Sequence, residues 1–452
     1  MTKVTIGMGR ASAADIFRKH GLTPFRNILS PEFFATHAST KFRTTTILVP
    51  EIVFWMMTCV ALGDGAMIGA VTSFWAPLRA LLPRLPLKPV TDAAFCTARS
   101  TLSMRFFQLL FLQVVSLYRK HFDQHYRWKS FRLLGIDGSL VTLPPAKALR
   151  EAFGVPSNQN GAAKTPQALL VGLVGLWNGV CQSFLVVPPL QSEQWCAKFL
   201  IRFLCPMDLL LCDKAFASYL LMASVLHRRA DFLFRVPCNR YTKARRLPTP
   251  SGRSDEWYVE LSLPANVLKQ CPHFSKTLRL RILQYQLPGY RPSFLITSLL
   301  DTHVYPYDEL VALYHERWRH ETCYREWKHT LQISNLRSHS KEGILKEIWV
   351  QLTLNNLVRW IMSDAAGPQL PPVKLKFLEC KRLIVAAIAP MAVAPVVLLS
   401  FMYASLLKQI AKEKILIRPG RNYPRNHDRL PRNKGNGNYA KPARLTASET
   451  VP

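Results

Sequence analysis

Three acidic residues stand where hard oxygen ligands could converge. Asp137 lies within FRLLGIDGSLVTLPP behind Leu133, Leu134 and Ile136, and Asp213 ends the run MDLLLCD behind Leu209, Leu210, Leu211 and Cys212. Glu321 lies in YHERWRHETCYREWKHTL. A charge that follows an apolar strand run is expensive unless it is paired or metal-bound. Mg²⁺ takes carboxylate oxygens and keeps several waters. Two such ions ~3.5–4 Å apart activate a water or a 3′-hydroxyl and stabilise the leaving oxygen, which is the chemistry of phosphodiester cleavage. Either aspartate alone reads equally well as a strand-end residue that caps the next helix. Together, on neighbouring strands, they favour a shared site.

The segment carrying Glu321 is predicted to be a helix. At ~100° per residue, with Tyr314 at zero, Arg317 falls at about −60°, Glu321 at about −20° and Lys328 at about −40°, a wedge ~60° wide over a rise of ~21 Å. Leu313, Tyr324 and Leu331 flank this wedge and would press the helix on a sheet. A carboxylate between two cations and a phenol suits a phosphate backbone lying across metal ions. Arg317 and Lys328 would hold phosphates, Tyr314 could donate to one, and Glu321 would ligate metal. A salt-bridged surface face is the alternative. His320 and His329 point off the wedge and are not assigned as ligands.

The elements around these residues follow from periodicity. Residues 1–128 read as helical, with apolar spacing through Ile52–Leu62 and Phe106–Leu117 and an N-cap at Thr91. From Phe131 the pattern turns strand-like. QALLVGLVGLW and VCQSFLVVPP are joined by Asn178-Gly179, a strong hairpin signal. Ser192 opens a helix, MDLLLCD is a buried strand, ASYLLMASVLHRR is a helix and DFLFRVP a further strand. Three strands with a hairpin, then helix, strand, helix, strand, is the order of an RNase H-like α/β fold. WYVELSLP, LRLRILQYQL and SFLITSLL then read as a β-rich insertion. The predicted organisation is a helical, DNA-binding region over 1–128 and an RNase H-like catalytic domain over 129–345, interrupted by an insertion at 239–302. A helical C-terminal region follows over 346–410, and then a basic flexible tail over 411–452.

Charge narrows the partner. The chain of 452 residues carries 59 Lys and Arg against 28 Asp and Glu, a net charge of +31. Such an excess repels itself in a compact state and usually meets a polyanion. The insertion opens on Arg240, Lys243, Arg245 and Arg246, and Arg418–Arg444 is basic and too polar to pack. Ten scattered cysteines without a C-x-x-C pair disfavour a zinc ribbon, and without an export signal they indicate a reduced, cytosolic protein. Leu383–Leu407 lacks charge and is long enough to span a bilayer, but Pro390 and Pro395 break it. Two buried helices joined at the prolines are expected instead, and no membrane partner.

With these residues in view, the chain resembles the insertion-sequence-four family of DDE transposases. Tyr314, Arg317, Glu321 and Lys328 match the family's Y-x2-R-x3-E-x6-K signature at all four positions. Asp137, in IDGS and followed by Pro144, is similar to the first catalytic Asp, and Asp213, with Phe216 three residues on, to the second. RPGRNYPR, Arg418–Arg425, is similar to the family's C-terminal end. Lys214-Ala215 departs from the usual Arg-Gly and puts the form of that turn in doubt.

The resemblance implies metal-dependent cleavage at element ends and attack of the freed 3′-hydroxyl on target DNA. It implies two Mg²⁺ ions per site, with Mn²⁺ substituting, held by Asp137, Asp213 and Glu321. The partners would be double-stranded DNA at terminal inverted repeats and target, with a homodimer in the synaptic complex at the nucleoid, for which Leu383–Leu407 is a candidate surface. Some members hold a flipped base on an aromatic residue of the insertion, which makes Trp257 or Tyr258 a candidate, with strand-core packing as the alternative. A competing reading is a two-metal RNase H-like DNA nuclease without strand transfer.

Overall fold

A long strand with one acid in its middle organises the catalytic half of the molecule. The computed structural model describes residues 30–38, 48–62, 74–81, 89–122, 124–155, 157–158, 161–162, 165–237, 244–286 and 292–416. In chain order the strands are β1 (Arg127–Trp128), β2 (Phe131–Thr142), β3 (Ser157–Asn158), β4 (Gly161–Ala162), β5 (Gln167–Gly175) and β6 (Cys181–Val187). They continue with β7 (Asp208–Cys212), β8 (Asp231–Val236), β9 (Arg246–Pro248), β10 (Glu256–Ser262), β11 (Thr277–Tyr285) and β12 (Ser293–Thr297). Apart from the β3–β4 ribbon they form one sheet, ordered β6-β5-β2-β7-β8-β12-β11-β10-β9, with β1 against β2.

Strands β2, β5 and β6 form an antiparallel ribbon, and β2, β7 and β8 run parallel. This is the RNase H-like order expected from the sequence. The hairpin forms at Asn178-Gly179, where Gly179 takes a φ of 71° and Asn178 Oδ1 accepts from the Val180 N–H. The β-rich segment is not a separate body. Strand β12 pairs antiparallel with β8, and β11, β10 and β9 continue the same sheet. Its inward apolar residues, such as Val259, Leu280 and Ile296, join the core cluster that also holds Leu210 and Phe232.

Helices cover this sheet and build a second core. They are α1 (Pro31–His37), α2 (Pro50–Leu62), α3 (Ala76–Leu81), α4 (Asp92–Thr101), α5 (Met104–Phe122), α6 (Lys147–Phe153) and α7 (Glu193–Leu200). Then come α8 (Tyr219–His227), α9 (Ala265–Gln270), α10 (Tyr307–Tyr314), α11 (Arg319–Arg325), α12 (Lys341–Ala366), α13 (Phe377–Val393) and α14 (Val396–Ile410). Thr91 caps α4 as expected, accepting from the Ala94 N–H at 3.2 Å. Along α5, Phe107, Leu110, Phe111, Val114 and Tyr118 recur at helical spacing and are buried, and α5 packs on α12. Burying each large apolar side chain contributes about 1.5–3 kcal/mol before ordering entropy is subtracted.

Helix α12 is buried through most of its length because it runs between the sheet and these helices. Its Asn356 grips β6, accepting from the Cys181 N–H and donating to the Cys181 carbonyl, both at 2.8 Å. Residues to Lys414 form one compact unit, in which the N- and C-terminal helices share a core. The second unit, 415–452, is described only at Ile415 and Leu416. Pro390 lies inside α13 and Pro395 caps α14, so the apolar run breaks at the second proline. Among the described residues no single helix is long and apolar enough to cross a membrane; α4 with α5, bent by 77°, passes only as a pair.

Candidate active site

Asp137 sits in the middle of β2, opposite Gly172 of β5. Its Oδ1 accepts from the Gly138 N–H at 2.9 Å, and its Oδ2 lies 3.9 Å from Arg317 Nη1. The parallel register pairs Gly135 with Leu211, so two residues further on Asp213 is level with Asp137. Asp213 also caps the short turn that follows, its Oδ1 accepting from the Ala215 N–H at 2.6 Å. It thus combines both roles open to it from the sequence: a capping residue and a neighbour of the first acid. The turn at Lys214–Phe216 is a tight 3₁₀ turn, and Ala215 is not among the residues with positive φ. The alanine therefore fits where the family usually has glycine.

The third acid arrives on a helical path that differs from the regular wheel. After α10 the chain tightens to a 3₁₀ turn over His315–Trp318, and after α11 it widens to a π turn over Glu326–Thr330. Overwinding and underwinding shift the angles between Tyr314, Arg317, Glu321 and Lys328. The flank that presses on the sheet is nevertheless the expected one. The Tyr324 hydroxyl donates to the Asp137 carbonyl at 2.7 Å and accepts from the Gly172 N–H at 3.0 Å. Leu313 and Leu331, the other two residues of that flank, are buried as well. His320 Nε2 lies 3.1 Å from the Gly172 carbonyl, and burial holds its ring well below its ordinary value, at about 4. His320 is thus a buried packing residue rather than a ligand.

Arg317 is the cation at the centre. Its Nη2 is 3.4 Å from Glu321 Oε1, and although burial works against its charge, Tyr314, Asp137, Asp213 and Glu321 together favour it. Glu321 is exposed and turned to Arg317, and Lys328 is half-buried. Tyr314 is 4% exposed, and burial pushes its phenol up. Burial likewise raises the Asp137 carboxyl, and the nearby Asp213 adds to this, while the Gly138 N–H and Arg317 pull it down.

The charged form of Asp137 is therefore held in the fold at a cost. Asp137→Asn is expected to raise the melting temperature at neutral pH. The difference should be full above the raised carboxyl value and vanish as pH falls below the ordinary carboxylate range, where both folded and unfolded wild type are protonated. Melting curves across that pH range check this.

Other candidates fall elsewhere. Arg240, Lys243 and Arg418–Arg425 lie outside the described residues. Arg245 and Arg246 are exposed, but the Arg246 guanidinium covers the Trp257 ring at 4.1 Å. Trp257 is 7% and Tyr258 6% exposed, and the Tyr258 hydroxyl donates to the Leu300 carbonyl. Alternation along β10 turns Trp257 into the core, the strand-packing role also open to it from the sequence. One residue of the site was missed. Glu193 opens α7, burial raises its carboxyl, and both Asp137 and Asp213 raise it further. The sequence carried only an acid after the capping Ser192, which is ordinary at a helix start.

The donors fit a hard dication. They are carboxylate oxygens from separate elements, Asp137 is only partly neutralised by Arg317, and the charge gathers around one guanidinium. Among the described residues no three His, Cys, Asp or Glu side chains form a compact ligand group, and Glu321 is turned to Arg317.

This sheet order, with acids level on adjacent parallel strands and a third on a covering helix, is that of the RNase H-like fold. The family described as transposase DDE domain matches residues 133–357, a span that includes all three acids. The transposase InsG for insertion sequence element IS4 of Escherichia coli (strain K12) is 26% identical over 360 residues, covering 77% of this chain and 78% of that protein. A piggyBac transposase synaptic complex with hairpin DNA is similar at 12% identity and a TM-score of 0.42, covering 91% of this chain and 86% of that one. The two sequence matches support a DDE transposase of the IS4 family. Enzymes with this domain use a divalent cation.

Proposed function

We propose that this transposase cuts DNA at the ends of its element and joins the freed 3′-hydroxyl to target DNA, with Asp137, Asp213 and Glu321 as the catalytic acids. The observation that carries this reading is the level placement of Asp137 and Asp213 on parallel neighbours beneath the helix of Arg317 and Glu321. The cofactor is Mg²⁺, replaceable by Mn²⁺, with two ions per site. When bound it activates the attacking oxygen and offsets charge on the leaving one.

Asp137 and Asp213 hold the cation from the sheet, and Glu321 completes the set from the helix once a phosphate takes over Arg317. Tyr314, Arg317 and Lys328 grip the phosphates, and Arg240, Lys243, Arg245 and Arg246 extend the track over the insertion. The substrate is double-stranded DNA, terminal inverted repeats and target alike, met at the nucleoid. Two ends must be held together for paired cutting, which calls for a homodimer. Val397 and Phe401 of α14, 83% and 75% exposed, offer an apolar face for it.

Purified protein incubated with Mg²⁺ and DNA carrying the native ends tests the function. Covalent joining of an end to a second DNA supports it, whereas nicks without joining would favour a nuclease. Lys328 tests the phosphate role. Lys328→Ala is expected to weaken DNA binding across sequences and to flatten the slope of log affinity against log salt by roughly one unit. Fluorescence anisotropy over a salt series reads this directly.

A further inference from the structure

The structure points to Glu193 as a fourth carboxylate of the catalytic centre, a positioning residue that draws the divalent cation toward Asp137 and Asp213; this rests on the function proposed above. Ser192 caps α7, its Oγ accepting from the Trp195 N–H at 3.1 Å, which fixes Glu193 as the first helical residue. An acid there complements the helix dipole, but that role needs only a side chain turned to solvent.

Glu193 instead reaches across to β2. A Cβ built on Gly138 would lie 2.3 Å from its Oε1 and 2.7 Å from its Cγ, so the glycine beside Asp137 reserves the space this side chain fills. On the other side, Gln194 Nε2 donates to the Ala215 carbonyl at 2.5 Å, fastening the same helical turn to the loop that carries Asp213. The Glu193 carboxylate thereby lies against β2 beside Asp137, within reach of the charges of both aspartates. Among the described residues no hydrogen bond or ion pair satisfies it. Arg317 faces Asp137 and Glu321. Negative charges packed this way repel one another, and a dication is the species that would reverse the sign of that interaction.

Mn²⁺ titration of the full chain without DNA, followed by electron paramagnetic resonance, tests this on wild type, Glu193→Gln and Asp213→Asn, with melting curves taken with and without Mn²⁺. Glu193→Gln is expected to bind Mn²⁺ about tenfold more weakly, the lower end of what loss of an outer-shell partner costs. It should also melt above wild type without the cation, because repulsion is removed, and gain less when Mn²⁺ is added. Unchanged Mn²⁺ affinity in Glu193→Gln, with affinity lost in Asp213→Asn, would overturn the role of Glu193 and leave the proposed function standing. Wild-type affinity in both variants would overturn the metal site itself. A lower melting point with unchanged affinity would mark Glu193 as a cap alone. Glu193→Ala gives the same readings should the glutamine variant not fold.

Discussion

Asp213→Asn is expected to fold normally and to lower excision of a marked element by about 10³-fold or more, the scale seen when one member of a catalytic unit is removed. The substitution keeps Oδ1, so the hydrogen bond from the Ala215 N–H that shapes the 3₁₀ turn can persist. Strand β7 is held by Leu209, Leu210 and Leu211, all buried, and not by the acid that follows them. What changes is the charge at a position level with Asp137. A neutral amide is a poor ligand for a hard dication, and the centre loses affinity for the ion that serves the reaction. Excision is measured from a donor carrying the native ends, with melting curves as the folding control. A folded variant that excises as wild type does would remove Asp213 from the catalytic set. Chelation of the cation from wild type should produce a comparable loss, restored by Mg²⁺ or Mn²⁺.

Glu256→Gln is expected to cost about 3–5 kcal/mol of stability, because it leaves a buried charge without its partner. Glu256 and Arg281 face each other between β10 and β11 with side chains 0% exposed, and Arg281 Nη2 donates to Glu256 Oε2 at 2.5 Å. The Arg281 Nη1 donates to the Tyr305 carbonyl at 2.7 Å, while its Nε has no partner. A lysine here could escape by losing its proton; a guanidinium cannot, so the full desolvation cost remains once the carboxylate is neutralised. Replacing both residues with apolar ones of similar volume should cost much less than the single change. Urea titration followed by tryptophan fluorescence reads the difference. A loss under about 1 kcal/mol would mean that water reaches the pair. Tyr305 stands just before α10, so loosening this anchor should also lower excision by displacing α10 and the turns after it that carry Arg317 and Glu321.

Much of the catalytic frame was legible because it is written in local pattern. Apolar runs of strand length fixed β2, β5, β7 and β8, the Asn-Gly pair fixed the hairpin, and Ser192 and Thr91 marked helix starts, each through interactions within a few residues. Asp137 and Asp213 stood out for a related reason: a carboxylate directly behind buried leucines needs a use. The helix signature was readable as spacing, although regular geometry misjudged its angles. Along this irregular path His320, Tyr324 and Trp327 reach β5, β2 and α12, contacts that only the packed sheet and helices supply.

What only the tertiary structure decided concerns the side chains' neighbours. Strand character was evident in the β-rich segment, but its joining the catalytic sheet through β8 and β12 depends on an edge pairing that no local pattern encodes. Trp257 and Arg246 were separate candidates in the sequence and became one stack, since alternation on β10 sends the ring inward and the exposed arginine covers it. Glu193 looked like any acid at a helix start. It reaches β2 beside Asp137 because Gly138, 55 positions earlier, has no side chain to keep it out. The sequence by itself determined the elements, through apolar periodicity, and singled out three acids as candidates, two by the cost of burying charge and Glu321 by helix spacing. The folded chain decided which charges share a space, because that depends on distances between residues far apart in sequence.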